Sequence, residues 1–260
     1  MSSRRSARIR ASLLLGSLVL GGAWAASAQD SDAAIFQRYR SLDATVERAG
    51  RSVGAGRFEE AHNLLQPCLQ KLPDHFEAHF LLARIAYEAR DFEGVLAHLE
   101  VAERSLAVLS RRYRDLMDYL RARIEVEEQT ARSSLDAVSS RVTDPTSCVA
   151  PFLAALEREI EAVQARKGPL HDHENPYGVP ASHRFLRGNA LYRLGRRDEA
   201  RAQFRQAVAA DPAHANAWNN LLALHLEAKD PVSARADLQR AEAARIAIRA
   251  ELRQAILAAP

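Results

Sequence analysis

One pattern of small and apolar residues occurs twice within residues 182–241, displaced by 34 positions: Ala200 maps onto Ala234, Phe204 onto Leu238 and Ala207 onto Ala241. A period of this length restricts the chain to a stack of helical hairpins, because one such unit alone cannot bury its apolar face. The small residues mark where two helices approach closely, and Phe204 and Leu238 fill the space beside them. Leu194-Gly195-Arg196 and Asp211-Pro212 stand where turns between helices are required.

A fainter pair lies nearer the N-terminus. Phe58 maps onto Phe92, Ala61 onto Val95, Leu65 onto Leu99 and Cys68 onto Ala102, again at an offset of 34. Gly54-Ala55-Gly56 and Ala89-Arg90-Asp91 supply the turns inside the hairpins, and Leu72-Pro73-Asp74 separates the units because proline breaks a helix interior. Val95 takes the place of a small residue, and Thr45, Arg48 and Ala49 give the first helix little of the pattern.

On these residues the chain resembles the tetratricopeptide repeat family, closely over residues 182–241 and less so over 57–103. The resemblance implies an all-α fold, a right-handed superhelical stack of hairpins (an α-solenoid), with degenerate hairpins over 29–105 and further hairpins plus a capping helix over 183–260. Residues 234–257 are expected to run on as that cap, since the ends of a solenoid need a polar outer face. Between the pairs, Leu106, Leu109, Tyr113, Leu116, Leu120 and Ile124 recur at three- and four-residue spacing. That periodicity predicts one or two long central helices within 106–167, the first ending at Asp144-Pro145. Pro151 opens another through Leu156, Ile160 and Val163, which stops near Lys167-Gly168. Residues 168–182 are then expected as a histidine-containing loop.

Residues 1–28 read as an export signal: Arg4, Arg5, Arg8 and Arg10 precede the apolar run 13–20, and Ala26-Ser27-Ala28 is a small-x-small cleavage site. Gln29 and not a cysteine stands directly after it, which disfavours a lipoprotein, and the apolar core is shorter than the ~20 residues of a membrane span. Cleavage after Ala28 removes four arginines and no acid, taking the formal charge from +3 to −1. The basic surplus therefore belongs to the leader and is no footprint for nucleic acid. No later run is apolar enough to span a bilayer, so a periplasmic or secreted protein is expected, not an integral membrane protein.

In the family the first helix of each hairpin lines a concave groove. By register that face takes in Phe80, Arg84 and Tyr87, then Phe185, Asn189, Tyr192, Arg193, Asn216, Asn219 and Asn220. Aromatic rings offer contact area and asparagine pairs with a peptide group. Asn189 and Asn220 also match asparagines with which some family members clamp a peptide carboxylate, although Phe185 stands where the accompanying lysine is expected. Arg184, Arg187, Arg193, Arg196, Arg197, Arg201 and Arg205 form either an acceptor for an acidic partner or a solvated face paired with neighbouring acids. Arg184 and Arg187 occupy positions where the family has large apolar residues, so something is expected to replace the missing preceding hairpin.

Three further features bear on chemistry. His171, His173, Glu174 and His183 offer imidazole and carboxylate ligands within a short span, though not in a closed zinc spacing. His75 and His79 read as cap and surface residues. Cys68 and Cys148 either form a disulfide, which closes a loop of about 80 residues and restricts the unfolded chain by about 4 to 5 kcal/mol, or leave Cys68 a buried thiol. There is no G-x-S-x-G, phosphate loop or dinucleotide fingerprint, so no catalytic residue and no cofactor are assigned. The reading is an exported scaffold or adaptor that binds a protein or peptide in envelope assembly. Its alternatives are a periplasmic metal- or small-ligand-binding protein using the 171–183 histidines, and a module that forms homo-oligomers.

Overall fold

The computed structural model describes residues 29–139, 150–171 and 175–259. The leader, Asp144-Pro145, Cys148, Asp172, His173 and Glu174 lie outside them. Among the described residues the secondary structure is entirely α-helical: α1 (Gln29–Gly54), α2 (Phe58–Lys71), α3 (Phe76–Glu88), α4 (Phe92–Ser139), α5 (Ala150–His171), α6 (Ala181–Arg193), α7 (Arg197–Ala210), α8 (Ala215–Glu227), α9 (Pro231–Ala243) and α10 (Ala250–Ala258).

The chain forms two compact units. One comprises Ile35–Val108 and Gly178–Pro260, and the other includes Leu109–Tyr177. The first unit is built from four hairpins, α1/α2, α3/the start of α4, α6/α7 and α8/α9. Of the repeat positions singled out by the 34-residue offset, Ala61, Leu65 and Cys68; Val95, Leu99 and Ala102; Ala200, Phe204 and Ala207; and Ala234, Leu238 and Ala241 are buried, while Phe58 and Phe92 are half-buried. The all-α hairpin stack read from the sequence is thus the observed architecture. Close approach is enforced at Gly188 of α6, where a Cβ would stand 2.6 Å from Cε1 of Phe204 on α7.

The same turn closes the first helix of every hairpin. Gly56, Arg90, Gly195 and Lys229 have φ of 74°, 61°, 76° and 55°. The following residue then donates its N–H to the carbonyl five positions back, as in Arg57 to Ser52, Asp91 to Ala86, Arg196 to Leu191 and Asp230 to His225, each at 2.9 Å. This is the Schellman arrangement, which satisfies helix-terminal carbonyls through a left-handed residue. Glycine adopts that conformation freely, whereas Arg90 and Lys229 adopt it against the Cβ clash.

Helix α1 belongs to the stack although its sequence carries little of the pattern. Tyr39, Leu42, Val46, Ala49 and Val53 are buried along one face at three- and four-residue spacing. The Tyr39 hydroxyl lies 2.7 Å from Ser105 Oγ on α4, and burial of the phenol pushes its pKa up to about 12. Next to it His75 caps α3, its Nδ1 accepting from the Ala78 N–H at 3.4 Å. His214 caps α8 in the same way from Ala217, at 3.2 Å.

Three expectations are corrected. The second helix of the second hairpin and the first central helix are one element, α4, of 48 residues, because the three- and four-residue apolar spacing runs on without a break from Leu99 through Leu106, Leu109 and Tyr113. Helix α5 does not stop at Lys167-Gly168 but reaches His171. Pro169 falls in its last turn, where a missing N–H removes a single helical bond. The C-terminal cap is not one helix, since α9 ends at Ala243 in a fifth left-handed turn, Arg245 with φ 56°. Ile246 and Ile248 then pack against the core clusters of the last two hairpins, and α10 begins at Ala250 with Ile256 fully buried.

In the second unit, α5 lies beside the later part of α4. Leu109, Tyr113, Met117, Ile124 and Ala131 on α4, with Leu156, Ile160 and Val163 on α5, are buried. Arg166 pairs with Glu127 at 3.0 Å and Lys167 with Glu128 at 3.3 Å. Hydrogen bonds from Arg132, Gln164 and Lys167 hold the Glu128 carboxyl down to about 2. Asn175 Nδ2 donates to the Ser110 carbonyl at 3.0 Å, so the chain leaves and re-enters this unit side by side.

Two measurements follow from the turns and from the buried cap. Lys229→Gly is expected to stabilise the fold by up to about 1 kcal/mol, because it relieves a left-handed residue that bears a Cβ. Gly188→Ala is expected to cost about 1 to 3 kcal/mol through its clash with Phe204, both read as shifts in the chemical-denaturation midpoint. His75 is held down to about 4 by burial, below its ordinary 6.5. The unfolded chain therefore binds the extra proton first as pH falls, so this stabilisation is complete above about pH 6.5 and is lost as pH drops towards 4. Between pH 7 and pH 5 the protein is expected to lose up to about 2 kcal/mol from this group, and His75→Asn, which retains a capping side chain, should flatten that slope.

Candidate functional site

The first helices of the hairpins, α1, α3, α6 and α8, carry the residues assigned to the groove by register. The structure sorts those residues into packing groups and surface groups. Phe80 is half-buried and stacks on His183 of α6, with ring centroids 4.0 Å apart and planes 18° from parallel. Phe185 is half-buried against Phe204 at 5.8 Å and His214 at 4.7 Å. Tyr87 meets Phe92 edge-on within the second hairpin. These three rings hold hairpins together as well as bordering the first-helix face.

Asn219 is a buried structural clamp. Its Nδ2 donates to the carbonyls of Ala215 at 2.9 Å and Ala247 at 3.3 Å, and its Oδ1 accepts from the Arg249 N–H at 3.0 Å. It fixes the segment between α9 and α10, whose extended backbone otherwise lacks helical partners.

The half-buried pair Asn189 and Asn220 differs. Asn220 Nδ2 donates to Asn189 Oδ1 at 3.0 Å. Each carboxamide carries two donor hydrogens and an acceptor oxygen, so the pair retains Nδ2 of Asn189 and Oδ1 of Asn220 without a protein partner among the described residues. One N–H donor beside one carbonyl acceptor is the complement of a peptide group. Of the other residues assigned to this face, Arg193 and Asn216 are exposed and Arg84, on α3, is half-buried, and neither arginine makes an ion pair among the described residues. The exposed Tyr192 hydroxyl donates to Glu227 at 2.9 Å, and Arg197 reaches the same carboxylate at 3.2 Å. That bond to Glu227 raises the Tyr192 pKa.

The arginine-rich stretch is largely paired. Arg196 bonds Glu199 at 2.7 Å, Arg201 bonds Asp198 and Arg184 bonds Gln206. Arg187 meets Glu103 of α4 at 2.9 Å, with both side chains about a quarter exposed. The second hairpin thus supplies the neighbour whose absence the sequence suggested: the unusual arginine at this packing position is matched by an acid from α4. No local pattern reveals a partner so distant in sequence.

His183 is 3% exposed beneath Phe80. His173 and Glu174 lie outside the described residues, as does the side chain of His171. Among the described residues no group of three or more His, Cys, Asp or Glu is placed to hold a metal ion. Cys68 is buried with its thiol directed at the Leu64 carbonyl, 3.6 Å away, and burial raises its pKa. Its proposed partner Cys148 is outside the described residues. No described helix is long and apolar enough to cross a membrane.

Residues 52–123 and 185–255 each match a family model described as tetratricopeptide repeat, together more than half of the chain. The chain belongs to the tetratricopeptide repeat family. Among solved structures it is similar to TTC0263, a thermophilic TPR protein of Thermus thermophilus, with 17% identity over 82% of this chain and 97% of that one, and a TM-score of 0.33. It is also similar to YrrB, described as a TPR protein with an unusual peptide-binding site, with 17% identity over 90% and 97% and a TM-score of 0.29. No curated protein matches the chain. The two matched segments of this TPR chain lie on either side of residues 124–184, which include most of the second unit.

Proposed function

We propose that this TPR chain is an exported adaptor that holds an extended segment of a partner protein against the first-helix face of its last two hairpins, in the cell envelope. The observation that carries the reading is the Asn189–Asn220 pair, whose remaining donor and acceptor match the two polar groups of one peptide unit. Arg193, exposed on α6 and without an ion pair among the described residues, favours a segment that carries an acidic side chain. The family's use of such surfaces for protein recognition supports binding as the activity, and the arrangement is one of docking groups. Export rests on the arginine-led apolar stretch and the Ala26-Ser27-Ala28 site.

The test must leave the packing rings intact. Phe185 and Phe80 belong to hairpin contacts, so their removal would confuse lost binding with lost folding. In vivo crosslinking of tagged protein in its native envelope should capture a partner with the wild type. The triple variant Asn189→Ala, Asn220→Ala, Arg193→Glu is expected to reduce that capture at least tenfold while its thermal midpoint stays within a few degrees. Mass spectrometry of the tagged protein itself should read Gln29 as its N-terminus. Undiminished capture by the folded triple variant would remove this face as the docking surface, and a retained leader would remove cleavage after Ala28.

A further inference from the structure

Outside this face, two histidines of the second hairpin stand in an arrangement that the adaptor reading does not use. His79 on α3 and His98 on α4 face each other with their Nδ1 atoms 3.1 Å apart. Both rings are half-buried at the surface of the hairpin and therefore reachable by solvent. The other nitrogen of His79, Nε2, lies 2.8 Å from the Pro73 carbonyl. A carbonyl only accepts, so the His79 proton sits on Nε2 and its Nδ1 presents a bare lone pair to His98.

The same bond occurs elsewhere in the stack. Trp218 holds the position equivalent to His79 in the fourth hairpin, and its Nε1–H donates to the Pro212 carbonyl at 2.9 Å. The same ring N–H to proline carbonyl bond thus occurs at two hairpin entries, made once by tryptophan and once by histidine. Histidine differs in carrying a second nitrogen, and here that nitrogen is aimed at another imidazole.

We propose that His79 and His98 form a two-imidazole site for a divalent first-row metal ion of the zinc, nickel or copper type. Metal to imidazole bonds of ~2.0–2.1 Å at angles between right and tetrahedral place two ligating nitrogens ~2.9–3.4 Å apart, which is the separation of the two Nδ1 atoms here, so the rings need to turn but not to move apart. The bond from His79 Nε2 to the Pro73 carbonyl supplies the outer-shell support typical of a metal-bound histidine, fixing both tautomer and ring plane. Without metal, the His98 proton on Nδ1 bridges to His79. On coordination that proton leaves Nδ1 and, by exchange with water, His98 takes one up at Nε2, so no net proton is released. Water completes the coordination shell, since no third protein ligand stands among the described residues.

Zinc chloride titrated into the full chain tests the site by calorimetry and by nitrogen-15 spectra of the imidazoles. The expected result is a saturable site with one ion per chain, accompanied by a change of His98 from the Nδ1-H to the Nε2-H tautomer. His79→Trp, which copies the Trp218 arrangement and retains the bond to Pro73, should weaken binding at least tenfold, as should His98→Leu. The double variant His171→Ala, His173→Ala should bind as the wild type does. Binding that survives both His79→Trp and His98→Leu, binding lost with His171 and His173 instead, or an unchanged His98 tautomer at millimolar zinc would each overturn the proposal. The tautomer readout is made on the wild type and so stands even if a variant fails to fold.

Discussion

The contact between the second and third hairpins is what makes one stack out of two separated repeat pairs. Ala83 of α3, Val95 and Leu99 of α4, and Leu186 and Ala190 of α6 form one buried apolar cluster. Phe80 covers it by stacking on His183, and the Arg187–Glu103 pair closes its edge. Leu96 extends from α4 into the core of the third hairpin. Without this contact, each pair would expose one apolar flank, and nearest-neighbour burial is what stabilises a repeat array. The salt bridge matters mainly for fit, because a partly exposed pair contributes little net energy.

The segment between those hairpins is accommodated because its ends lie close together. Asn175 bonds Ser110, and Tyr177 packs edge-on against Tyr113 with ring centroids 5.8 Å apart. Closing a long connection costs little more than closing a short one, since loop entropy rises only with the logarithm of length. Residues 109–177 also bury their own apolar side chains along α4 and α5, so the insertion does not rely on the hairpin stack for a core.

Much of the fold was legible because repeat packing is local. Ala200, Phe204 and Ala207 recur as Ala234, Leu238 and Ala241 since every second helix meets the same neighbouring surface. The signal of α1 was also present, at Tyr39, Leu42, Val46, Ala49 and Val53, but it departs from the residue types of the repeat and showed only as helical periodicity. The break before α10 had a weaker cue in Ile246-Ala247-Ile248, whose alternation suits extended chain better than helix. What could not be read was pairing across the insertion: nothing near Phe80 announces His183, and nothing near Arg187 announces Glu103. For the candidate site, Asn189, Asn220 and Arg193 were accessible from register. The burial of Asn219 was not, because its partners are the backbone of Ala247 and Arg249, and backbone groups leave no mark on the pattern.

The stack across the insertion is tested most directly by excising residues 109–177 and joining Val108 to Gly178 through a short glycine-serine linker, then following unfolding by circular dichroism and hydrogen exchange. If the four hairpins form one cooperative core, the shortened chain unfolds in a single transition, with the amides of α3 and α6 protected to the same degree. Two separate transitions, or loss of protection in α3 while α6 to α9 stay folded, would contradict it.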